Sequence, residues 1–204
     1  MKDAFLEMFI EAMGEPAHQR PVPAESIAQY RGRLPEKLLE YWQEQGWGSY
    51  ADGLFWLVNP HDYQHLLDMW LQGTEFEKLD TYHVIGRTAF GDLYAWGETY
   101  GRKLIVLCAY NRVYAMSSEK NVPCSNPDLE LQSFLSMVER EDFDMEDADG
   151  EFLFERALQA LGPLGEQELY GFEPALVMGG KAVLGNLRKL QLDVHLTILR
   201  QFGR

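Results

Sequence analysis

The sequence lacks a long apolar run, and this bears on where the protein works. No stretch of the 204 residues approaches the roughly 18 consecutive apolar residues that a membrane-spanning helix needs. The first fifteen residues carry Asp3, Glu7 and Glu11, and these acids confine the apolar residues to one helical face instead of forming a secretory signal. We therefore expect a soluble protein that stays in the cytoplasm.

Cysteine is also scarce, which excludes a fold that depends on a disulfide framework. Cys108 and Cys124 are the two cysteines of the chain. Two thiols fit a reducing compartment, where a disulfide between them is not expected. Cys108 lies in an apolar run typical of a small core residue, and neither cysteine has a basic neighbour of the kind that activates a nucleophilic thiol.

Basic residues are few, and this limits the class of partner. The chain has 18 Lys and Arg against 32 Asp and Glu, a formal charge of -14. Binding to DNA, RNA or an anionic membrane needs clustered Lys and Arg, so these partners are not expected. The acidity fits a basic protein partner, because opposite fields speed and orient association. It equally fits a simple contribution to solubility.

Complete catalytic motifs are missing as well. His61 and His65 have the spacing at which two helical histidines share a metal, but no third ligand is evident and the segment also reads as an ordinary helix start. Ser49 does not lie in a nucleophile elbow, and the glycines before Lys181 lack the remainder of a phosphate loop. We predict no catalytic residue, no metal site and no cofactor.

What the sequence does contain is a run of acids. Residues 139–155 hold nine acids and one cation, Arg140. The run does not match the calcium helix-loop-helix pattern. Whether the loop is taken to start at Asp142 or at Asp144, the glycine required at its sixth position is absent. A solvated acidic loop and a protein-docking loop remain as alternatives. The candidate contact residues in the run are Asp142, Asp144, Glu146, Asp147, Asp149 and Glu151.

Hydrophobic periodicity predicts an α+β fold. A central antiparallel meander, flanked by helices, is indicated by four short strands separated by turn residues. A smaller, mainly helical C-terminal subdomain follows a linker at 122–128. The segment 46–53 reads as a turn-rich loop, and 170–180 as a strand ending in glycines. The predicted meander strands are 82–90, 93–98, 103–110 and 113–116, and the main predicted helices are 1–15, 61–71, 129–140 and 192–202.

Two stretches resemble known bacterial families. LPEKLLEYWQEQGWGSYADGLFWLVNPHDY (34–63) and FGDLYAWGE (90–98) resemble the GAD-like domain. Residues 160–201, with YGFEPAL-x-x-GG (170–180) and the final helix, resemble the C-terminal domain of type VI secretion immunity proteins. The resemblance implies a GAD-like domain at 1–120 and an immunity-type domain at 129–204.

The resemblance also implies a function. Such proteins are antitoxins, without enzymatic activity, that bind a DNase effector with a GHH-type nuclease domain in the cell that makes it. A nuclease presents a basic cleft to phosphates, which an acidic protein can occupy. The candidate anchors are Trp47, Tyr50 and Trp96, with core packing as the alternative for each. The candidate acids beside them are Asp52, Asp92 and Glu98.

Two other functions stay open at this point. The same fold can serve as a non-catalytic regulatory or scaffold module that binds a different basic protein. A metal-dependent enzyme built on His61, His65 and nearby acids is the third hypothesis, which stoichiometric zinc in the purified protein would support.

Overall fold

The computed structural model describes residues 3–115 and 122–202. The end of the last predicted meander strand, Met116, and the predicted domain boundary at residue 120 lie outside these ranges. The helices are α1 (Ala4–Met13), α2 (Ala24–Tyr30), α3 (Glu36–Gln45), α4 (Pro60–Leu71), α5 (Pro127–Met137), α6 (Phe154–Leu161) and α7 (Leu192–Gln201). The strands are β1 (Ala17–Arg20), β2 (Trp47–Tyr50), β3 (Phe55–Leu57), β4 (Tyr82–Thr88), β5 (Leu93–Gly97), β6 (Gly101–Leu107), β7 (Arg112–Ala115), β8 (Glu168–Phe172) and β9 (Leu187–Gln191).

The first seven strands form one antiparallel sheet whose spatial order is the order of the chain. This confirms the predicted α+β class and the central meander. β8 and β9 pair separately as an antiparallel hairpin. The C-terminal region adds α5, α6 and α7 to that hairpin. Residues 173–186, predicted in part as strand, instead form a loop with two short 3-10 turns, because β8 already ends at Phe172.

The segment predicted as a turn-rich loop contains a strand. β2 lies between β1 and β3, and all four of its residues are buried. Its glycines serve close contact between backbones rather than turns. A Cβ on Gly46 would lie 2.6 Å from the Arg20 carbonyl oxygen, and one on Gly48 would lie 3.0 Å from that of Ala17. The small residues therefore let the edge strand β1 approach β2.

Helix ends are fixed by the residues that the sequence places there. The Asp3 side chain caps α1 by accepting the Leu6 N–H. Asn59 and Asn126 cap α4 and α5, and each is followed by a proline in the first turn. α1 packs against α5, and α3 also contacts α5. Helices from the N-terminal and C-terminal parts of the chain thus pack together.

The two parts of the chain share one aromatic core. The Phe143 ring, from the C-terminal part, stacks on Phe55 of β3 with centroids 4.2 Å apart. Phe134 of α5 stacks on Tyr94 of β5 at 5.8 Å. Tyr170 of β8 donates its N–H to the Ala89 carbonyl at 2.9 Å. The acid run begins directly beside this core, so its position relative to the sheet is fixed.

Arg87 of β4 forms a second connection between the two parts. The residue has 0% exposure, and its guanidinium lies over the Trp56 ring at 4.4 Å. Its donors reach the Tyr63 hydroxyl at 3.0 Å, the Thr88 carbonyl at 3.2 Å and the Glu166 carbonyl at 2.8 Å. The Glu166 contact ties the loop before β8 to the central sheet.

Candidate functional site

The three aromatic residues predicted as anchors lie in the core. Trp47, Tyr50 and Trp96 are only 4%, 1% and 2% exposed. Trp47 packs edge-on against Trp42, with ring centroids 5.6 Å apart, and Tyr50 packs against Phe9 at 4.8 Å. The structure corrects the expectation that these side chains lie on the surface, because alternation along short strands and loops does not reveal that helices cover both faces.

The three acids predicted beside them differ in environment. Asp52 is exposed, in a short 3-10 turn with a left-handed φ of 58°. The Asp92 residue keeps some exposed surface, but its carboxyl is enclosed and accepts the Cys108 N–H at 3.0 Å; burial raises its pKa to about 7. Glu98 accepts from Arg33 at 2.7 Å and lies 2.8 Å from a ring nitrogen of buried His83. Asp92 therefore serves the interior, whereas Glu98 lies at the surface and connects Arg33 to buried His83.

The acid run itself is an ordered structure. It begins with a 3-10 turn, Arg140–Asp142, closed by reciprocal bonds between Glu139 and Asp142. The Asp144 carboxyl accepts the N–H of Met145 at 2.6 Å and of Phe154 at 2.9 Å. Burial of that carboxyl raises the pKa of Asp144. Asp142 and Asp144 thus have structural partners within the loop and at the start of α6.

Residues 145–153 form a small hairpin centred on Asp147. Glu146 and Phe152 are paired in an antiparallel bridge. The Asp147 carboxylate accepts the N–H of Asp149 at 2.9 Å and of Glu151 at 3.1 Å. Arg156 donates to it at 2.6 Å, and this bond lowers the pKa of Asp147. The Asp147 side chain is only 4% exposed, so its charge organises the hairpin.

The remaining carboxylates of the run face solvent. Glu146, Asp149 and Glu151, all predicted as contact residues, are exposed. The predicted contact residue Asp142 is exposed as well, as are Glu139, Glu141 and Glu155. Phe152 is 41% exposed among them. The sequence did not single out Phe152, because its exposure depends on its place in the hairpin, two residues before α6 begins at Phe154. A groove of about 350 Å³ runs beside the hairpin, lined by Leu54, Arg140, Glu141, Asp144, Glu151, Phe152, Phe154, Glu155 and Arg156.

We call the exposed part of this hairpin, residues 146–152, the acidic hairpin. It presents clustered carboxylates and one aromatic ring on a backbone that internal hydrogen bonds hold in place. Such a surface can attract and orient cationic side chains of another protein. Leu54 lines the groove beside the acidic hairpin, and the exposed Asp52 lies two residues before it in the chain.

Metal and phosphate motifs do not assemble into sites in the described ranges. Within 3–115 and 122–202, no three His, Cys, Asp or Glu side chains are grouped as metal ligands. His65 instead contacts Asp193 of α7. Gly179, Gly180 and Lys181 lie in the loop between β8 and β9, not at a strand-to-helix turn. Among the described residues, none of the helices has the length and apolar character needed to cross a membrane.

Comparison with protein-family models shows which families the two parts of the chain match. The GAD-like domain model matches residues 4–110. The model of the C-terminal part of the type VI secretion immunity protein Tdi1 matches residues 128–203. The chain therefore belongs to the GAD-like domain family, and its C-terminal part is similar to the C-terminal part of the Tdi1 immunity family. The second match indicates a type VI secretion immunity protein, a class of protein whose partner is a toxin.

A solved structure extends the similarity to nearly the whole chain. The crystal structure of Atu4351 from Agrobacterium tumefaciens covers 96% of this chain and 88% of its own, with 27% identity and a TM-score of 0.84. No curated protein sequence matches this chain. The similarity includes both family segments, so the pairing of the sheet with the C-terminal elements is common to the two proteins.

Proposed function

We propose that this protein is a cytoplasmic antitoxin that binds and inhibits a type VI secreted DNase effector in the cell that produces both. The observation that carries the proposal is the position of the acidic hairpin. It lies inside residues 128–203, the segment that matches the immunity family. The proposed inhibitory surface is thus part of the immunity segment, with the GAD-like segment as its support.

The electrostatics support a nuclease as the partner. A DNase attracts its polyanionic substrate with clustered Lys and Arg. The acidic hairpin offers Glu146, Asp149 and Glu151 to the same cations. The whole chain, at a formal charge of -14, adds a long-range field that steers a basic protein toward it. An acidic surface that occupies the DNA cleft would compete directly with DNA, whereas binding elsewhere would hold the toxin in an inactive conformation.

We also propose a division into a GAD-like domain at 1–120 and an immunity-type domain at 129–204. The separate family matches to residues 4–110 and 128–203 support it. The shared aromatic core and the Arg87 contacts imply that the two domains act as one unit. In this arrangement the N-terminal sheet holds the acidic hairpin in a constant orientation.

The proposal is tested by association kinetics with the cognate nuclease, which we expect to be encoded next to this gene. We expect Glu146→Gln, Asp149→Asn and Glu151→Gln together to slow association about tenfold at low salt, because three steering charges are removed. The difference should shrink near 1 M salt, where screening lengths fall to about 3 Å. Surface plasmon resonance at several salt concentrations measures both effects.

A matched variant controls for net charge. Glu7, Glu11 and Glu25 are exposed acids on α1 and α2, and their change to Gln removes the same three charges. Association of this control should stay within about twofold of the wild type. Equal slowing by both variants would remove the acidic hairpin from the interface. If the wild-type protein neither bound the neighbouring nuclease nor protected DNA from it, the proposed function itself would be refuted.

A further inference from the structure

We propose that Tyr110, Phe152 and Met178 are the apolar anchors of one toxin-binding surface, with the carboxylates of the acidic hairpin at its rim. The inference rests on the proposed function and deepens it by naming the residues that hold the partner. These three side chains are 47%, 41% and 62% exposed. They come from three separate parts of the chain, and the fold brings those parts together.

The first link joins Phe152 to Glu146. These residues are partners in the antiparallel bridge of the acidic hairpin. Paired residues in such a bridge direct their side chains to the same side. Their chain neighbours Met145 and Leu153 are buried, at 6% and 0% exposure, so Glu146 and Phe152 share the outward side.

The second link joins Glu146 to Tyr110. Tyr110 ends a 3-10 turn, Cys108–Tyr110, which follows β6. Partial burial of its ring raises the pKa of Tyr110, and the nearby carboxylates of Asp92 and Glu146 raise it further. The structural connection between them is the loop that carries Met178, which contacts the Tyr110 turn and accepts the Ala148 N–H of the acidic hairpin. The turn is held in place by Asn111, which has a left-handed φ of 51° and donates its side-chain amide to the Leu199 carbonyl at 2.7 Å.

The third link joins Tyr110 to Met178. The 3-10 turn that ends in Met178, Leu176–Met178, contacts the turn that ends in Tyr110. The loop carrying Met178 is also tied to the acidic hairpin, because Ala148 donates its N–H to the Ala182 carbonyl at 2.8 Å. Gly180 closes the turn with a 3.0 Å bond to the Ala175 carbonyl. The anchors thus stand on three neighbouring segments: the Met178 loop is hydrogen-bonded to the acidic hairpin and contacts the Tyr110 turn.

The chemistry of this surface specifies its occupant. Tyr, Phe and Met are enriched at the centres of protein interfaces, where they fill apolar pockets, while a polar rim excludes water. The rim carries Glu146, Asp149 and Glu151, with Lys181 as an exposed cation on the adjoining loop. The matching partner surface is an apolar depression surrounded by Lys and Arg. A second copy of this chain is disfavoured, because it would bring the same carboxylates face to face.

Apolar anchors and rim charges affect different rate constants, and this makes the inference testable. We expect Tyr110→Ser, Phe152→Ser and Met178→Ser each to speed dissociation from the neighbouring nuclease about 30-fold, with association nearly unchanged. Met8→Ser is the matched control, since Met8 is 51% exposed on α1 and its change should leave dissociation within about twofold. Circular dichroism and melting temperatures verify that each variant is folded.

The outcomes separate the inference from the function on which it rests. Tight inhibition by the wild type together with unchanged dissociation of all three folded Ser variants would overturn the anchors and leave the antitoxin function standing. Absence of binding by the wild type would overturn both. A dimer of the isolated protein that Phe152→Ser dissociates, seen by size-exclusion chromatography with light scattering, would also overturn the inference in favour of self-association.

Discussion

Replacing Arg87 by Met tests how the two parts of the chain are joined. Met keeps an unbranched apolar stem against Trp56 but removes the donors to Tyr63, Thr88 and Glu166. Hydrogen bonds from a charged donor contribute about 1.5–3 kcal/mol each, and part of this is offset because the variant no longer buries a charge. We therefore expect the free energy of unfolding to fall by about 3 kcal/mol.

Urea unfolding, followed by tryptophan fluorescence and far-UV circular dichroism, measures this change. Amide hydrogen exchange adds a local readout, because residues 165–170 should lose protection first when the Glu166 contact is removed. Arg87→Lys is the informative companion: it retains the charge but not the planar arrangement of donors, and it should recover only part of the stability. A Met variant within about 0.5 kcal/mol of the wild type, with unchanged exchange at 165–170, would refute the connecting role of Arg87.

Three further predictions concern local structure. Burial raises the pKa of Asp92 from 3.8 to about 7, so between these pH values the folded state binds more protons than the unfolded state. The free energy of unfolding should therefore fall by up to about 4 kcal/mol as pH rises through that window. Asp92→Asn should remove this pH dependence in urea titrations at about pH 4 to 8. Gly46→Ala should lower the unfolding free energy by at least about 1 kcal/mol, because φ is +77° and the Arg20 carbonyl is 2.6 Å from the new Cβ; thermal melts measure it. Asp147→Ala should speed protease cleavage within 145–153, whereas Glu151→Ala should not, because Asp147 bonds the hairpin internally.

The meander was predictable from the sequence because its short apolar runs are separated by brief turn sequences. β1 was not, since its sequence, AHQR, is mostly polar and all four residues are exposed at the edge of the sheet. β2 was mistaken for a loop because Gly46 and Gly48 resemble turn residues. β9 gave no strand signal, as its sequence, LRKLQ, is largely exposed and is stabilised by pairing with β8.

The acid run was likewise predictable in part: its composition could be read from the sequence, but its internal bonding could not. Its composition predicted an acidic loop, and four of the six acids chosen as contacts, Asp142, Glu146, Asp149 and Glu151, are exposed. The sequence did not reveal that Asp147 and Asp144 bond the backbone, because such bonds depend on the hairpin geometry. Nor did it distinguish buried Trp47 from exposed Phe152, since exposure of an aromatic ring is decided by tertiary packing.

The most direct test of the account is an inhibition titration. The neighbouring nuclease is held at fixed concentration, and cleavage of labelled DNA is followed as this protein is added. We predict loss of cleavage at one equivalent of the wild-type protein. The triple variant at Glu146, Asp149 and Glu151 should inhibit more weakly than the control triple variant at Glu7, Glu11 and Glu25. Undiminished DNA cleavage in excess wild-type protein would contradict the account.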